Sequence, residues 1–400
     1  ALVCQARGLD GWVLLSMTLP ALRAAPLHLG DDLGIRGDPI GLERDTRSCK
    51  RVAVSPSVET FGSLSNTRCQ RHSSKRKDVE QRATAALIGA AVGDALGATT
   101  EFMVPSEIQL TYGVLRDIVG GGWLRLSAGQ VTDDTQMALC VARSIAVRGW
   151  CLEDVANRFV EWLRSRPLDV GNTCRRGIRR YMTHATLAGP PLEDDAGNGA
   201  VMRVAPVALA TLGNVPLLVK LAIEQAHITH NHFLSDSACV LAGSLLQMAC
   251  LGSSKLRLLK LAREFVAEVP KFTFQPYRRL CTAYVVDTMQ TVLHYFFSTR
   301  SFEDCLVGTV NQGGDADTAG AIVGAVAGAY YGLEAIPERW VRQLSPELVQ
   351  ELRDLAQQLV DVSPLGAEEV LTSSDEYAGL IRVLKAGQQT NDVQSIDTER

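Results

Sequence analysis

Two short acidic clusters contain the residue types that could carry out chemistry. One is TDDT at positions 132–135, and the other is DADT at positions 315–318. Each follows a turn that contains glycine and precedes a run of small and apolar residues, so each is predicted to open a helix. Taken alone, either cluster fits helix capping better than catalysis, because Asp and Thr side chains satisfy the free N–H groups at a helix N-terminus.

Considered together, the two clusters favour a metal site. Each contains two carboxylates as well as a hydroxyl group, and capping a helix uses only one side chain. Four carboxylates brought together would repel one another strongly unless cations lay between them. Ligand sets made only of oxygen select hard ions such as Mg²⁺ or Mn²⁺ rather than zinc. Two such ions could share a carboxylate and activate a water molecule between them.

A third acidic group ends the segment GDALGATTE at positions 93–101. Its glycines lie in a helical pattern, where each costs up to about 1 kcal/mol relative to alanine, so they predict the close approach of another helix or a ligand. Glu101 follows this helix and could position a water molecule or bind a metal. Asp94 is predicted to be structural and to hydrogen-bond a neighbouring loop. Phe102 and Met103 are predicted to anchor the loop in the core.

A glycine-rich segment, DAGNGAVMR, lies at positions 195–203. Small residues let backbone N–H groups approach a phosphate, and the N-terminus of a following helix favours an anion. On its own this segment is as consistent with an ordinary loop as with a phosphate cradle.

Three histidines cluster in the segment AHITHNH at positions 226–232. Residues two apart do not share a helix face, so a zinc site of the HExxH kind is not supported. One of the three could contact a ligand, and the others are predicted to cap a helix or to lie in the core.

Helical periodicity between positions 79 and 362 predicts the elements that position these groups. Alternating strands with hairpin turns are not evident there, so the prediction is an all-α, compact, single-domain helical bundle. Residues 1–78 are predicted to be a poorly ordered extension that ends in a basic, solvated linker, and residues 363–400 a mobile tail. Beyond the helix at 79–91, the predicted helical segments are 136–147, 152–163, 201–212, 217–226, 235–251, 255–269, 277–297, 301–310, 318–331 and 346–362.

Bulk properties exclude some functions. The 400 residues carry a formal net charge of −4, which gives no sign of a nucleic-acid partner. The ten cysteines form no CxxC pair, as expected of a reduced, cytoplasmic protein. The apolar run at 12–22 resembles a secretory signal segment, but little positive charge precedes it and Pro20 interrupts it, which disfavours that interpretation. The run at 319–332 is shorter than the roughly 20 residues that a membrane span needs, so no transmembrane segment is predicted.

Several separated motifs resemble those of the ADP-ribosylglycohydrolase family. They include GDALGATTEFM, TDDTQMAL and ITHNH, together with the longer segments at 165–182 (SRPLDVGNTCRRGIRRYM), 276–297 (PYRRLCTAYVVDTMQTVLHYFF) and 310–318 (VNQGGDADT). The resemblance covers essentially all of 79–362 and neither terminus. Within the family it is greatest to members from nitrogen-fixing bacteria.

The resemblance implies the compact all-α bundle of the family, with two divalent ions, Mn²⁺ or Mg²⁺, at the bottom of a cleft. Glu101 matches a glutamate beside these metals. Asp169 and Asn172 match positions near the scissile ribose and the arginine guanidinium. The metal ligands implied are Thr132, Asp133, Asp134, Asp315, Asp317 and Thr318. The residues implied around the ADP-ribose are Gly197, Asn198, Gly199, Met202 and His230.

The reaction implied by the resemblance is hydrolysis of the N-glycosidic bond between ADP-ribose and an arginine side chain of another protein. Either Asp134 or Glu101 would orient the water molecule, while Asp169 would hold or protonate the guanidine leaving group. The implied target is the nitrogenase iron protein. Relatives of this kind are also sequestered by a nitrogen-signalling regulator and an ammonium-channel complex, which implies reversible association with a membrane through partners.

Three alternatives differ in chemistry. A non-catalytic ADP-ribose binder of the same fold would be expected to lack acidic ligands, and here all are present. A glycohydrolase for another linkage, such as ADP-ribosyl-serine, is disfavoured by the long matches at 165–182 and 276–297. A dimetal phosphoesterase is disfavoured because no histidine accompanies the acidic clusters.

Overall fold

A computed structural model describes residues 5–8, 11–14 and 66–365, with side chains for 76–365. The chain divides into two units, 1–63 and 64–400. In the first unit, strands β1 (Gln5–Gly8) and β2 (Gly11–Leu14) pair antiparallel, which the sequence pattern did not predict. The rest of the predicted extension before residue 66, and the predicted tail from residue 366, lie outside the described residues.

The described part of the second unit is built from α-helices, and the prediction of an all-α bundle is confirmed for it. Apart from single bridges between residues, it contains no strand. The helices are α1 (Asn66–Gly97), α2 (Pro105–Tyr112), α3 (Asp133–Arg148), α4 (Leu152–Arg164), α5 (Asn172–His184), α6 (Ala205–Ala210), α7 (Val215–His227), α8 (Phe233–Cys250), α9 (Lys255–Glu268), α10 (Val285–Ser298), α11 (Phe302–Val310), α12 (Ala316–Tyr331), α13 (Glu338–Val341) and α14 (Pro346–Val362).

Some helix boundaries differ from the prediction. Helix α1 begins at Asn66, so the basic run at 71–77 lies within a helix rather than in a linker. Helix α10 begins at Val285, whereas the prediction placed its start at position 277. The intervening chain is not helical because it bends around the start of α12, where the Cys281 carbonyl accepts a hydrogen bond from the Asp315 N–H.

Helices α1 and α12 pack backbone to backbone along a seam of glycines, as the glycine pattern predicted. A Cβ at Gly93 would lie 2.0 Å from the Gly320 carbonyl oxygen, and one at Gly97 would lie 2.3 Å from that of Ala316. One turn earlier on α1, a Cβ at Gly89 would likewise clash with the carbonyl oxygen of Gly324. No side chain fits between backbones this close, so only glycine permits the contact. The seam places the end of α1 beside the start of α12.

Helix α8 (Phe233–Cys250) is the one helix in the described part that is long and apolar enough to cross a membrane. Within the bundle, 83% of it is buried. It packs in the core beside α7 and α12, and such burial is typical of a core helix.

Candidate active site

The starts of α3 and α12 bring the two acidic clusters into one buried site. The Thr132 hydroxyl lies 3.4 Å from Oδ2 of Asp317, and the Thr318 hydroxyl lies 3.3 Å from Oδ2 of Asp134. The structure therefore joins two sequence segments that are far apart in the chain. All six predicted metal ligands are buried: Thr132, Asp133, Asp134, Asp315, Asp317 and Thr318.

Helix capping does not account for these clusters. Thr132 and Asp315 occupy the N-cap positions of α3 and α12, and neither makes a side-chain capping hydrogen bond. Asp317 accepts one from the backbone N–H of Thr318, at 2.8 Å. The Oδ2 atoms of Asp317 and Asp134 instead lie beside the threonine hydroxyl of the opposite cluster.

The hydroxyl and carboxylate oxygen atoms of the two clusters lie close together, and they have too few protons to form hydrogen bonds with one another. The Thr132 hydroxyl has one proton, and its nearest acceptor is Oδ1 of Asp94 at 2.9 Å, while Asp134 Oδ2 lies at 3.2 Å. The other carboxylate oxygen of Asp134, Oδ1, is buried without a hydrogen-bond partner among the described residues. Buried carboxylate oxygens that lack donors are stabilised by cations, and an all-oxygen set fits hard divalent ions.

Three carboxylates from different segments meet beside this pair of clusters. Oxygen atoms of Glu101, Asp169 and Asp317 all lie within 4.8 Å of one another, a spacing that one metal ion could bridge. Glu101 and Asp317 are buried, and Asp169 is half-buried. Asp169 lies just before α5, whose first residue, Asn172, is exposed.

Burial and mutual repulsion raise the pKa of the carboxyl groups in the site. Burial first, and the charge of Asp169 next, raise the pKa of Asp133 to about 8. Burial also raises the pKa of Glu101 to about 8, although a hydrogen bond from Trp123 opposes the shift. For Asp134 and Asp317, burial and neighbouring carboxylates raise the pKa well above its ordinary value. Divalent cations would oppose these shifts, because their positive charge stabilises the ionised carboxylates and offsets their mutual repulsion.

Asp94 connects α1 to the start of α3, as predicted from the sequence. Its carboxylate accepts four hydrogen bonds, from the backbone N–H and the hydroxyl of Thr132 and of Thr135, at 2.5–3.1 Å. Burial raises its pKa to about 6, and these hydrogen bonds oppose the rise. Asp94 is thus a positioning group that fixes the Thr132 hydroxyl.

The glycine-rich loop packs against the ring of His230. A Cβ at Gly197 would lie 2.9 Å from His230 Nε2, and one at Gly199 would lie 2.9 Å from Cε1. Both glycines are therefore required by the close approach of the imidazole. Asn198 donates from Nδ2 to Oδ2 of Asp315 at 2.9 Å, so this loop also orients a predicted metal ligand.

The loop differs from the prediction in two respects. Helix α6 begins only at Ala205, so no helix N-terminus lies directly after the glycines. Met202 is buried and lines a small cavity of about 20 Å³ together with Asp134. The backbone N–H groups of Gly199 and Ala200 find no acceptor within the described part of the chain, and such groups can bind an anion.

Arg203 is a fully buried cation that the sequence reasoning did not single out. Its five N–H groups have five acceptors, at 2.7–3.7 Å: Gln225 Oε1, the Gln225 carbonyl, the Gly199 carbonyl, the Thr229 hydroxyl and the Cys174 sulfur. The guanidinium also lies 4.8 Å from the centre of the Phe159 ring. No carboxylate is among its hydrogen-bond partners.

This network fixes the tautomer of His230. A guanidinium can only donate, so the Thr229 hydroxyl accepts from Arg203 at 2.7 Å and its own proton must point elsewhere. That proton is directed at Nδ1 of His230, 2.7 Å away. His230 therefore accepts at Nδ1 and carries its proton on Nε2, on the side of the glycine-rich loop. Burial, and then the charges of Arg203 and Arg176, lower its pKa well below the ordinary value.

Of the other two histidines, His232 caps a helix, as predicted, whereas His227 is half-buried at the end of α7. His232 precedes α8 and accepts a hydrogen bond at Nδ1 from the Leu234 N–H, at 3.0 Å. His227 lies 3.0 Å from a carboxylate oxygen of Asp236.

The loop after Glu101 differs from the prediction. Met103 is half-buried, but the Phe102 side chain is 63% exposed, so the prediction that Phe102 anchors the loop in the core is wrong. Trp123, to which the sequence patterns assigned no role, donates from Nε1 to Oε2 of Glu101 at 2.5 Å. The indole thus holds the glutamate in place beside Asp169 and Asp317.

Comparisons with known proteins identify the family of this chain. A family model described as "ADP-ribosylglycohydrolase" matches residues 75–368. The chain belongs to the ADP-ribosylglycohydrolase family. It is 51% identical over 276 residues to an "ADP-ribosyl-[dinitrogen reductase] glycohydrolase" of Rhodospirillum rubrum, which covers 69% of this chain and 94% of that protein.

Two further relatives support the assignment. An "ADP-ribosylarginine hydrolase" of Pseudomonas putida (strain GB-1) is 31% identical, with 71% of this chain and 79% of that protein covered. A solved structure titled "ADP-ribosylglycohydrolase-related protein complex" superimposes with a TM-score of 0.63 at 37% identity, covering 72% of this chain and 99% of that one. The helical fold of this glycohydrolase is therefore that of its family.

Replacing Asp94 with asparagine should weaken metal binding by the glycohydrolase about 10- to 100-fold, as loss of a group that orients a ligand commonly does. The amide would turn an N–H group toward donors that now require an acceptor. Titration with Mn²⁺ measures the dissociation constant. The matched control is Asp78→Asn, an exposed aspartate of the same helix, which should bind normally. An unchanged dissociation constant for Asp94→Asn would refute the positioning role.

Replacing Arg203 with methionine should lower the free energy of unfolding of the glycohydrolase by at least about 3 kcal/mol, because several buried acceptors lose their donor. Urea denaturation measures the change. Arg342→Met is the control, since Arg342 is 73% exposed and its ion pair with Glu338 contributes about 0.5 kcal/mol or less. Equal stability of Arg203→Met and the wild type would show that the network does not hold the fold.

His230 should make the glycohydrolase less stable at acid pH. Its folded-state pKa is lowered, so below about pH 6.5 the unfolded state binds the proton more readily. The stability from neutral His230 is complete above that pH and falls by up to about 1.4 kcal/mol per pH unit below it. The His230→Gln variant lacks this titration, so the stability difference between the two proteins should shrink between pH 7.5 and 5. A constant difference in urea denaturation would contradict this.

Proposed function

We propose that this chain hydrolyses the N-glycosidic bond between ADP-ribose and an arginine side chain of a target protein, using two divalent ions. The observation that carries the proposal is the contact between the two buried acidic clusters, together with the approach of Glu101 and the half-buried Asp169 to Asp317. The unpartnered Oδ1 of Asp134 supports the presence of cations. The relative named as an ADP-ribosylarginine hydrolase supports the arginine linkage.

The residues proposed to hold two Mn²⁺ or Mg²⁺ ions are Thr132, Asp133, Asp134, Asp315, Asp317 and Thr318. When bound, such ions polarise ribose hydroxyls and lower the pKa of a water molecule. Asn198 supports this set by donating to Asp315, and Asp94 supports it by fixing Thr132.

The catalytic carboxylates are proposed to be Glu101, Asp134 and Asp169. Asp134 faces inward, where both nearby threonine hydroxyls contact its Oδ2, so it suits metal binding. Glu101 is held by Trp123 and suits orientation of the attacking water. The water oxygen bonds to the ribose C1″ and gives its proton to Glu101 while the bond to the guanidine nitrogen breaks. Asp169, the most exposed of the three, holds the guanidine and delivers the proton that the departing nitrogen needs.

The ADP-ribose is proposed to lie against Asn172, at the start of α5, and the glycine-rich loop of Gly197, Asn198 and Gly199. The free N–H groups of Gly199 and Ala200 are suited to the phosphates, and His230 presents an N–H group at the same loop. Met202 supports this loop from the core.

The target is proposed to be an ADP-ribosylated nitrogenase iron protein, in line with the relative named for dinitrogen reductase. The catalytic domain is proposed to span 79–362, between an extension at 1–78 and a tail at 363–400. We also propose that a nitrogen-signalling regulator and an ammonium-channel complex control this enzyme. The enzyme would be cytoplasmic and would associate reversibly with a membrane through these partners.

The proposal is tested by comparing three substrates with the Mn²⁺-loaded protein. These are an arginine-linked ADP-ribosyl peptide, a serine-linked one and a simple phosphoester. We expect cleavage of the arginine linkage at a rate at least about 100-fold above the others, equal to a difference of about 2.7 kcal/mol in barrier. Preference for serine would assign another linkage, phosphoester cleavage would assign a phosphoesterase, and binding of ADP-ribose without cleavage would assign a binder.

A further inference from the structure

Two aromatic side chains stand exposed beside the acidic cluster. The Phe102 side chain is 63% exposed and that of Trp123 is 51% exposed. Their ring centres lie 5.2 Å apart with the planes tilted by 54°. Large aromatic groups are usually buried, and an exposed pair is typical of a surface that another molecule covers.

The backbone holds Phe102 in an unfavourable conformation. Its φ angle is +60°, a region that bulky residues rarely occupy. Hydrogen bonds to both sides of a turn maintain it, from the Phe102 N–H to the Gly314 carbonyl at 2.7 Å and from the Gly314 N–H to the Met103 carbonyl at 2.9 Å. Because the side chain remains 63% exposed in this conformation, burial in the core does not explain it. Strain of this kind is concentrated at functional sites.

Carboxylates lie directly beside the aromatic pair. The indole of Trp123 donates to Glu101, whose carboxylate lies within 4.8 Å of oxygen atoms of Asp169 and Asp317. An aromatic face next to carboxylates is the environment that binds a planar cation, because the ring face attracts positive charge and the carboxylates accept its hydrogen bonds. A guanidinium meets both requirements.

We propose that Phe102 and Trp123 form the binding site for the guanidinium and methylene stem of the target arginine. This rests on the proposed function and deepens it, since it names the groups that select arginine. The adenine base is neutral and the diphosphate is anionic, so neither offers the positive charge that the ring face and the carboxylates attract. A serine linkage offers no planar cation to these rings.

The first test uses Phe102→Leu, which keeps an apolar side chain and removes the aromatic face. Trp123 is left intact because its N–H group also holds Glu101. We expect KM for an arginine-linked ADP-ribosyl peptide to rise about fivefold. The affinity for free ADP-ribose, measured by calorimetry on the Mn²⁺-loaded protein, should not change. If the binding of both ligands weakened equally, the ring would contact the adenine base instead. If neither changed, the ring would have no role in binding. Either result would overturn the inference.

The second test uses Phe102→Gly, because glycine accepts a positive φ angle without strain. We expect a thermal unfolding midpoint equal to or above that of the wild type, together with a KM increase at least as large as in Phe102→Leu. A lower midpoint with unchanged KM would show that the ring is structural and overturn the inference. Leu256→Ala is the control, since Leu256 is 76% exposed on α9.

The outcomes also separate this inference from the proposed function. A wild-type protein that does not cleave the arginine linkage overturns both. An active wild type whose Phe102 variants keep the normal KM overturns the inference alone.

Discussion

Replacing Asp317 with asparagine should lower kcat/KM for an arginine-linked substrate by at least about 10³-fold, because loss of metal-ion charge stabilisation raises the barrier by about 4 kcal/mol. Asp317 is the carboxylate that both parts of the site share. It lies 3.4 Å from the Thr132 hydroxyl and belongs to the set of three that includes Glu101 and Asp169. An amide keeps the shape of the side chain and removes the charge that would balance a cation.

The thermal stability of metal-free Asp317→Asn should change in the direction opposite to its activity. Without metal, the variant removes one carboxylate from a buried, mutually repulsive cluster, so its unfolding midpoint in EDTA should equal or exceed that of the wild type. Adding Mn²⁺ should raise the midpoint of the wild type and leave that of the variant nearly unchanged. Asp354→Asn, an exposed aspartate on α14, is the control and should respond like the wild type. Full Mn²⁺ stabilisation of Asp317→Asn would remove this residue from the metal site.

Replacing Gly93 with alanine should lower the free energy of unfolding by about 2–4 kcal/mol. Alanine favours a helix by at most about 1 kcal/mol over glycine, which alone would stabilise α1. The added Cβ, however, would lie 2.0 Å from the carbonyl oxygen of Gly320. That atom belongs to the backbone of a buried helix, so relief requires α1 and α12 to separate along their seam.

Urea denaturation measures the effect of Gly93→Ala. Ala90→Ser is the control, because Ala90 is only partly buried and lies one turn earlier on α1; its effect should stay below about 1 kcal/mol. If Gly93→Ala were as stable as the wild type, the backbone contact between the two helices would be wrong. The position of Asp317 at the start of α12 would then lose its physical explanation.

The acidic ligands could be predicted from the sequence because residue type and local spacing carry the signal. Two carboxylates and a hydroxyl after a glycine turn are visible without a structure, and so is the glycine pattern of α1. The structural role of Asp94 was predicted for the same reason, since an acid inside a small-residue helix needs donors nearby. The four hydrogen bonds that it accepts come from Thr132 and Thr135.

Arg203 could not be predicted because its partners come from other segments. An arginine in an apolar stretch commonly buries its methylene groups and keeps its guanidinium in solvent, so an exposed charge is the ordinary expectation. Here the acceptors at Gln225 and Thr229 lie across the fold on and just after α7. The only local signal was a charged residue interrupting the predicted helix at 201–212.

For Phe102 the error is the reverse, because burial was predicted and the side chain is exposed. Hydrophobicity predicts burial, and a positive φ angle at phenylalanine cannot be recognised from the sequence.

Helix α5 was not predicted from the sequence because Gly177 and a run of arginines obscure its apolar face, which only Cys174 and Ile178 define in the core. In both cases the tertiary structure, rather than local preference, determines the conformation.

The most direct test of the account is release of ADP-ribose from nitrogenase iron protein modified on an arginine, with and without Mn²⁺, by the wild type and by Asp317→Ala. We predict Mn²⁺-dependent release by the wild type and none by the variant. No release by a folded, Mn²⁺-loaded wild type would contradict the assignment of this site to the arginine linkage of that target.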